Sequence, residues 1–281
     1  MIQLFFRKVL PVVFILIIAS NTVFSQFEVE YNEIKGTLTK SDEYKKEFGR
    51  YDGYEIPLYE GEAVNLVAYS DKFTPRLIFV SPNGKVFKQS LSSKSNVASI
   101  ITSVNESGEW ILFVVGDSSA TGDYTFQYAF ASKNSVQLPK DADFCTSLNF
   151  ITAHAKAYFL LLENPIDAKN PFVKLNGALD AYIDESDGSY TAKMYEGNNL
   201  AEAEKIYKNY SENVGTCLDK SWIKKSESWV SVEDYKVQST LYTEPVKEKE
   251  RLVLVALQDL RNSKQKFTGD YIVLIIVNKK N

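Results

Sequence analysis

Residues 76–87 have the sequence RLIFVSPNGKVF. Two short runs of β-forming residues, 76–80 and 85–87, flank a turn that ends in Asn83-Gly84. An Asn-Gly pair between two runs of this kind is the strongest short-range signal for a β-hairpin. This stretch therefore predicts two adjacent antiparallel strands.

Comparable runs occur on both sides of this hairpin and are separated by short turns. They lie at residues 63–69, 97–104, 109–115 and 123–130. No helical periodicity interrupts them between residues 28 and 130. Strands at this spacing favour an all-β fold, and we predict an antiparallel β-sandwich.

Short turn motifs follow one another through this region in an order shared with a known family. They are Gly36-Thr37-Leu38-Thr39, Tyr51-Asp52-Gly53-Tyr54-Glu55-Ile56, Glu60-Gly61-Glu62, Ser81-Pro82-Asn83-Gly84-Lys85, Glu106-Ser107-Gly108-Glu109-Trp110 and Thr121-Gly122-Asp123-Tyr124-Thr125. In these motifs the region resembles the bacterial pre-peptidase C-terminal domain, which is an appendage of secreted peptidases and other exported proteins. The resemblance implies a jelly-roll-like β-sandwich with an accessory or binding role.

Calcium is one ligand that this resemblance suggests, since some members of the family bind calcium and others bind collagen. The sequence has no clear acidic cluster at the N-terminal edge of the sandwich. Two acidic turns elsewhere carry the oxygen ligands that calcium prefers, without EF-hand spacing: Asp141 with Asp143, and Asp184 with Glu185 and Asp187. We interpret them as turns and helix caps and predict no cofactor or metal site, with calcium as the alternative.

The composition changes after the sandwich. Residues 132–140 are rich in Ser, Asn, Pro and Lys and are predicted to form a linker. Apolar residues then recur at helical spacing over 143–163 and 200–218. The predicted strands are 173–183, 189–195, 228–238, 251–260 and 271–278. This order, αββαβββ, predicts an α+β domain over residues 141–281, with helices on one face of an antiparallel sheet.

The N-terminal segment has the features of a secretory signal peptide. Arg7 and Lys8 precede an apolar run, 9–19, and small residues follow it as cleavage sites. The run is shorter than the ~20 residues of a membrane span. We therefore predict that residues 1–25 are removed and that the protein is exported to the periplasm, the cell surface or the medium. No transmembrane span is expected to remain, and the sandwich domain is predicted over residues 26–131.

The overall composition excludes some classes of function. The chain has 281 residues, of which 44% are hydrophobic and 24% charged, as in globular proteins. Its net charge is −4, and basic residues occur in isolated pairs such as Lys45-Lys46. An acidic chain without a long basic stretch does not suit a nucleic-acid phosphate backbone. We therefore expect no nucleic-acid partner.

The two cysteines, Cys145 and Cys217, are predicted to form a disulfide. Export places them in an oxidising compartment, and an even number of cysteines is most simply used as a pair. One cysteine lies near the start of the first predicted helix and the other near the end of the second. A bridge would hold these helices side by side and would stabilise the fold by roughly 4 kcal/mol on the chain-entropy account.

Any enzyme hypothesis depends on His154, the one histidine of the chain. It borders the apolar stripe of the first predicted helix and could act as a general base with Ser147 or a carboxylate. We favour a packed structural histidine, because the sequence contains no nucleophile elbow, zinc-protease motif or P-loop.

The aromatic residues Tyr51, Trp222 and Trp229 are the candidate binding residues. Exposed aromatic rings can stack on sugars or anchor a protein partner, although alternate strand aromatics also fill cores. We therefore predict an exported, non-catalytic binding or accessory protein that recognises a protein or a glycan outside the cytoplasm. The alternatives are a secreted hydrolase with its site in the C-terminal domain and a structural component of the envelope.

Overall fold

A computed structural model gives the fold of the chain. It describes residues 27–90, 96–162, 171–184, 188–245, 251–264 and 267–279. The predicted signal peptide, residues 1–25, lies outside these ranges. None of the helices within them is both long and apolar enough to cross a membrane.

Antiparallel β-sheets make up most of the structure, and two of them form the predicted β-sandwich. The four-stranded sheet has the order β1-β9-β4-β7, and the five-stranded sheet has the order β2-β3-β8-β5-β6. The strands are β1 (Val29–Leu38), β2 (Tyr44–Lys45), β3 (Gly49–Leu58), β4 (Ala63–Tyr69), β5 (Arg76–Val80), β6 (Val86–Gln89), β7 (Val97–Ser103), β8 (Gly108–Gly116) and β9 (Gly122–Ala131).

The core of the sandwich lies between these two sheets. Trp110 on β8 is fully buried and stacks on Phe79 of β5, with 4.7 Å between the ring centroids. Its indole N–H donates a hydrogen bond to the carbonyl oxygen of Glu106 at 3.1 Å. Leu66 on β4 and Phe126 on β9 belong to the same buried cluster. The predicted β5–β6 hairpin is present, and Gly84 in its turn has the positive φ of 79° that favours glycine.

The rest of the chain forms a six-stranded antiparallel sheet with two helices on one of its faces. The strand order is β10-β11-β15-β14-β13-β12. The elements are α1 (Lys133–Val136), α2 (Phe144–His154), β10 (Asp180–Asp184), β11 (Ser189–Gly197), α3 (Leu200–Cys217), β12 (Ile223–Val232), β13 (Tyr235–Thr243), β14 (Arg251–Asp259) and β15 (Tyr271–Lys279). One hydrophobic cluster joins α2 and α3 to this sheet, so the covered face is well defined.

The first long helix is shorter than the predicted span of 143–163. Asp143 caps its start, since the Asp143 side chain accepts a hydrogen bond from the Thr146 N–H. The helix ends at His154 and continues as a short 3-10 turn. Tyr158 and Phe159 then adopt left-handed φ angles of 48° and 59°, which stop the helix. The reversal places the Phe159 ring in the core of the sheet.

The predicted strand 173–183 is also too long, since only Asp180–Asp184 forms β10. The preceding backbone is bonded to a side chain instead of a neighbouring strand. The Leu175 N–H donates to the hydroxyl of Tyr190 at 2.9 Å, and that hydroxyl donates to the carbonyl oxygen of Val173 at 3.1 Å.

The predicted strand 228–238 is wrong, because a turn divides it. Residues 223–232 and 235–243 form the hairpin β12–β13, and Glu233 in the turn has a φ of 50°. The turn lacks glycine and proline, and Asp234 is its one residue of a type that favours turns, so the sequence signal for it is weak. The order of elements after the predicted linker is thus αββαββββ, with one strand more than expected.

The outer face of the four-stranded sheet packs against the segment that follows α2. Val29, Ala129 and Ala131 from the sheet form a buried cluster with Ala157 and Leu160. Apolar contact is therefore continuous between the sandwich and the helix-bearing part of the chain.

Polar contacts reinforce this packing. Asn65 Nδ2 donates a hydrogen bond to the carbonyl oxygen of Leu160 at 2.6 Å. The Lys279 ammonium lies over the rings of Tyr31 and Tyr158, at 5.1 and 4.7 Å from their centroids.

Candidate binding cleft

A cleft of about 490 Å³ lies beside the start of α2. Its walls come from α2, from the turn after α3 and from the facing ends of β13 and β14. The side chains that line it include Asp143, Asn149, Asp219, Trp222, Glu244 and Arg251. A concave site that combines an aromatic ring with a few convergent polar groups is typical of ligand binding.

The predicted disulfide is present and forms part of this cleft. Cys145 at the start of α2 is bonded to Cys217 at the end of α3, with 4.9 Å between their Cα atoms. Cys145 lines the cleft, and Asn149 Nδ2 donates to the carbonyl oxygen of Cys217 at 3.4 Å. The bridge thus fixes two walls of the cleft relative to each other.

Arg251 and Glu244 form a two-pronged ion pair in the cleft. Arg251 Nε and Nη2 donate to the two carboxylate oxygens of Glu244 at 2.8 and 2.6 Å. The Arg251 guanidinium also lies over the Trp222 ring, 5.8 Å from its centroid. Burial raises the pKa of Glu244, but the hydrogen bonds and charge of Arg251 outweigh it, and the pKa lies below its usual value. The pair therefore stays charged and positions the indole.

Asp143 and Asp219 are two further acceptors in the cleft. The Thr146 N–H donates to Asp143 at 2.7 Å, and the Ser221 N–H donates to Asp219 at 2.8 Å. These backbone hydrogen bonds lower the pKa of both carboxyl groups. A carboxyl group that serves as a general acid needs a raised pKa, so neither is suited to that role. The cleft thus offers ionised acceptors.

His154 lies outside the cleft and is fully buried. Its Nε2 is 2.7 Å from the carbonyl oxygen of Ser135, and its Nδ1 has no hydrogen-bond partner among the described residues. Burial lowers its pKa to about 4, so the ring is neutral at pH 7.

The structure does not bring His154 and Ser147 together. Ser147 is buried, its hydroxyl donates to the carbonyl oxygen of Phe144 at 3.0 Å, and it accepts from the Asn176 N–H at 3.1 Å. Both side chains have structural partners within the described part of the chain.

The three candidate aromatic residues lie in different surroundings. Trp222 is part of the cleft. Trp229 on β12 is partly exposed and packs against the cluster under α2 and α3. Tyr51 on β3 is nearly buried, its hydroxyl donates to Glu43 and its ring edge meets Phe113, with centroids 5.1 Å apart. Of the three, only Trp222 stands among convergent polar groups.

The acidic turns do not form a metal site in the part that the structure describes. No group of three or more His, Cys, Asp or Glu side chains there could hold a metal ion. Asp143 caps α2, and Asp184 ends β10. Glu185 and Asp187 lie outside the described residues.

Several residues of the cleft were not among the sequence candidates, and they include Asn149, Asp219, Glu244 and Arg251. They come from three separate parts of the chain and converge only when α2, α3 and the sheet pack together. Glu244 and Arg251, at the facing ends of β13 and β14, are the one local sequence signal for the cleft, because neighbouring antiparallel strands bring such ends close together.

Comparison with known proteins gives partial similarities. No protein-family model and no curated protein matches the chain. A solved structure of PliG, a periplasmic lysozyme inhibitor of g-type lysozyme from Aeromonas hydrophila, is similar over 36% of this chain and 87% of PliG, with 8% identity and a TM-score of 0.29.

Two further structures are similar to parts of the chain. The pre-peptidase C-terminal domain of collagenase from Bacillus anthracis aligns over 34% of this chain and 87% of that domain, with 12% identity and a TM-score of 0.28. A disulfide-linked pilus of Bacillus endospore appendages aligns over 40% of this chain and 95% of the pilus chain, with 10% identity and a TM-score of 0.25. A pre-peptidase C-terminal domain is thus among the similar structures, at low identity and partial coverage, and these similarities assign no function.

Proposed function

We propose that this chain is an exported, non-catalytic binding protein and that the cleft around Trp222 recognises a glycan. In this proposal residues 26–131 are an accessory sandwich domain, 132–140 connect it, and 141–281 are the α+β domain that carries the site. The observation that carries the proposal is the position of the Trp222 indole among Asn149, Asp219 and the Arg251–Glu244 pair.

The protonation of the cleft carboxyl groups suits hydrogen bonding to a ligand better than general-acid catalysis. The carboxyl groups of Asp143, Asp219 and Glu244 all have lowered pKa values. A general acid at neutral pH needs the opposite shift. The neutral imidazole of His154 is buried away from the cleft and bonded to the backbone. The ionised carboxylates of the cleft are therefore suited to accept hydrogen bonds from a ligand.

The chemistry of the lining supports a hydroxyl-rich ligand. Ionised carboxylates accept hydrogen bonds from hydroxyl groups, and the Asn149 amide can both donate and accept. An indole presents a flat apolar face on which the C–H face of a sugar ring can pack. Arg251, held by Glu244, orients that indole before the ligand arrives, which reduces the entropy lost on binding.

The disulfide supports export, since disulfides persist in oxidising compartments outside the cytoplasm. Because the bridge forms one side of the cleft, the proposed site would be complete only in such a compartment.

Binding of a panel of soluble oligosaccharides, measured by calorimetry and by tryptophan fluorescence, tests this proposal. We expect Trp222→Ala to weaken binding by roughly tenfold or more, corresponding to the ~1.4 kcal/mol that a tenfold change represents. The matched control is Trp229→Ala, which removes a partly exposed tryptophan outside the cleft and should leave affinity within about twofold. Equal losses in the two variants would contradict the proposal. The proposal would also be contradicted if no oligosaccharide bound and the exported chain instead captured a protein partner that the Trp222→Ala variant still binds normally.

A further inference from the structure

Phe27 also lines the cleft around Trp222, and it comes from a distant part of the chain. It precedes β1, whereas the other lining residues begin at Asp143. Its side chain is partly exposed, as is that of Trp222, so both rings are accessible to a ligand. The cleft is therefore built from two parts of the chain and presents two aromatic side chains.

The Phe27 ring is held in place by packing and by a backbone hydrogen bond beside it. It packs edge to face with Phe150 of α2, with 4.9 Å between ring centroids and an angle of 82° between the planes. The next residue, Glu28, donates its backbone N–H to the Ser135 hydroxyl at 3.1 Å. Ser135 is buried and bonded to His154 at the end of α2. A ring that is fixed before the ligand arrives loses little entropy on binding.

One face of α2 forms the floor of the cleft. Thr146, Asn149 and Ala153 are spaced three and four residues apart, so they lie on the same side of the helix, and all three line the cleft. Two of these side chains are short and leave room for a ligand above the helix. The third, the amide of Asn149, offers both hydrogen-bond donors and an acceptor at the centre of the floor.

Trp222 and Phe27 lie on opposite sides of this floor. An α-helix has 3.6 residues per turn, so Cys145 is displaced by about 40° from the centre of the floor in one direction, and Phe150 by about 100° in the other. Cys145 is bonded to Cys217, and the turn that carries Trp222 follows from there. Phe150 contacts Phe27 on the other side. The two rings thus flank the helix, which makes them suited to different sugar rings of one ligand.

The volume of the cleft fits a ligand of more than one sugar ring. The cleft measures about 490 Å³. Pockets of roughly 300–1,000 Å³ hold drug-sized molecules, and a disaccharide is a molecule of that size. A single hexose has about half as many atoms and would leave one side of the floor uncovered.

We propose that Phe27 and Trp222 are two separate aromatic platforms of one site and that its ligand is an oligosaccharide of two or more rings. This inference rests on the proposed glycan function and adds to it the length of the ligand and the contribution of the segment before β1. Each platform packs against the C–H face of a different sugar ring, and Asn149 between them bonds the hydroxyl groups. Phe27 thus determines specificity for chain length.

Calorimetry with homologous series of sugars tests this proposal. Gluco-, manno- and N-acetylglucosamino-oligosaccharides from one ring to six are titrated into the exported protein. In a series that binds, we expect affinity to rise by roughly tenfold between one ring and two or three, and then to level off. Phe27→Ala should lose this rise. Phe27→Tyr keeps the flat ring and should stay within about twofold of the wild type at every length.

Two further variants separate recognition by Phe27 from its packing. Phe27→Leu keeps an apolar contact with Phe150 and removes the flat ring, so it should retain most of the stability in urea and still lose the dependence on ring number. The matched control is Phe73→Ala. Phe73 is also partly exposed and meets one ring, Tyr124, edge to face at 6.1 Å, but it lies in the sandwich away from the cleft. Its removal should leave the affinities for all lengths unchanged.

The outcomes distinguish this inference from the glycan proposal. A wild type that binds one ring as tightly as three would overturn the inference and leave the glycan proposal standing. A Phe27→Leu variant that keeps the wild-type dependence on ring number would do the same. Binding of none of the series would overturn both.

Discussion

The Nε2 atom of His154 lies 2.7 Å from the carbonyl oxygen of Ser135. This hydrogen bond joins the end of α2 to α1, in the segment that leads out of the sandwich. Ser135 also receives a hydrogen bond from the Glu28 N–H, at 3.1 Å on its hydroxyl oxygen. The histidine that an enzyme hypothesis requires is thus part of the packing between the N-terminal strand and α2.

Burial of His154 predicts a loss of stability in acid. Its pKa is lowered from 6.5 to about 4 in the folded protein, so the unfolded chain takes up the proton more readily. The contribution is therefore present above pH 6.5 and is lost as the pH falls through the folded value. The full shift corresponds to about 3 kcal/mol. Urea unfolding of the wild type and His154→Gln between pH 7 and 4 should show a smaller loss in the variant, and equal losses would contradict this.

Asn65 predicts energetic coupling between the sandwich and the rest of the chain. Its amide donates to the buried carbonyl oxygen of Leu160. Asn65→Ala leaves that oxygen unpaired and should lower the free energy of unfolding by about 1–3 kcal/mol. The control is Gln127→Ala, on the same face of the neighbouring strand, where a partly exposed side chain bonds Glu33 and the cost should stay below about 0.5 kcal/mol. Similar costs in the two variants would show that the Leu160 contact is energetically unimportant.

The hydroxyl of Tyr190 replaces strand pairing for the chain before β10. Tyr190→Phe removes the partner of the Leu175 N–H and of the Val173 carbonyl, both in the core. We expect a loss of about 1–3 kcal/mol in urea unfolding. Tyr182→Phe on the adjacent strand removes an exposed hydroxyl and should change stability by less than about 0.5 kcal/mol. If Tyr190→Phe behaves like Tyr182→Phe, the Val173 and Leu175 backbone groups have found other partners.

The parts of the fold that the sequence predicts correctly are those set by local chemistry. Strands β4 and β5 occur at the predicted positions, because runs of β-forming residues bounded by turn residues depend on nothing distant. The end of α2 could not be predicted in this way. Tyr158 and Phe159 take left-handed angles without being glycine, and the reason is the burial of Phe159 against Tyr190, 5.9 Å away between ring centroids.

The residues of the cleft also differ in whether the sequence alone can identify them. The disulfide can be predicted from the sequence by pairing the two cysteines. Residue type makes Trp222 an aromatic candidate, but it does not separate Trp222 from Trp229 and Tyr51, which lie outside the cleft. Asn149 and Arg251 cannot be identified from the sequence, because their roles depend on partners that only tertiary packing brings near. The partner of Asn149 is the Cys217 carbonyl, and the partner of Arg251 is the Trp222 ring.

The disulfide predicts that both the stability of the fold and the structure of the cleft depend on the oxidation of Cys145 and Cys217. Replacing both Cys145 and Cys217 by Ala removes a cross-link between residues 72 positions apart in the sequence. This should lower the free energy of unfolding by roughly 4 kcal/mol. Since the bridge connects two walls of the cleft, the variant should also lose the ordered environment of Trp222. Near-ultraviolet circular dichroism of a Trp229→Phe background, in which Trp110 stays buried in the sandwich, reports on that ring. A double-alanine variant that unfolds at the wild-type urea concentration and keeps the Trp222 signal would show that helix packing alone builds the site.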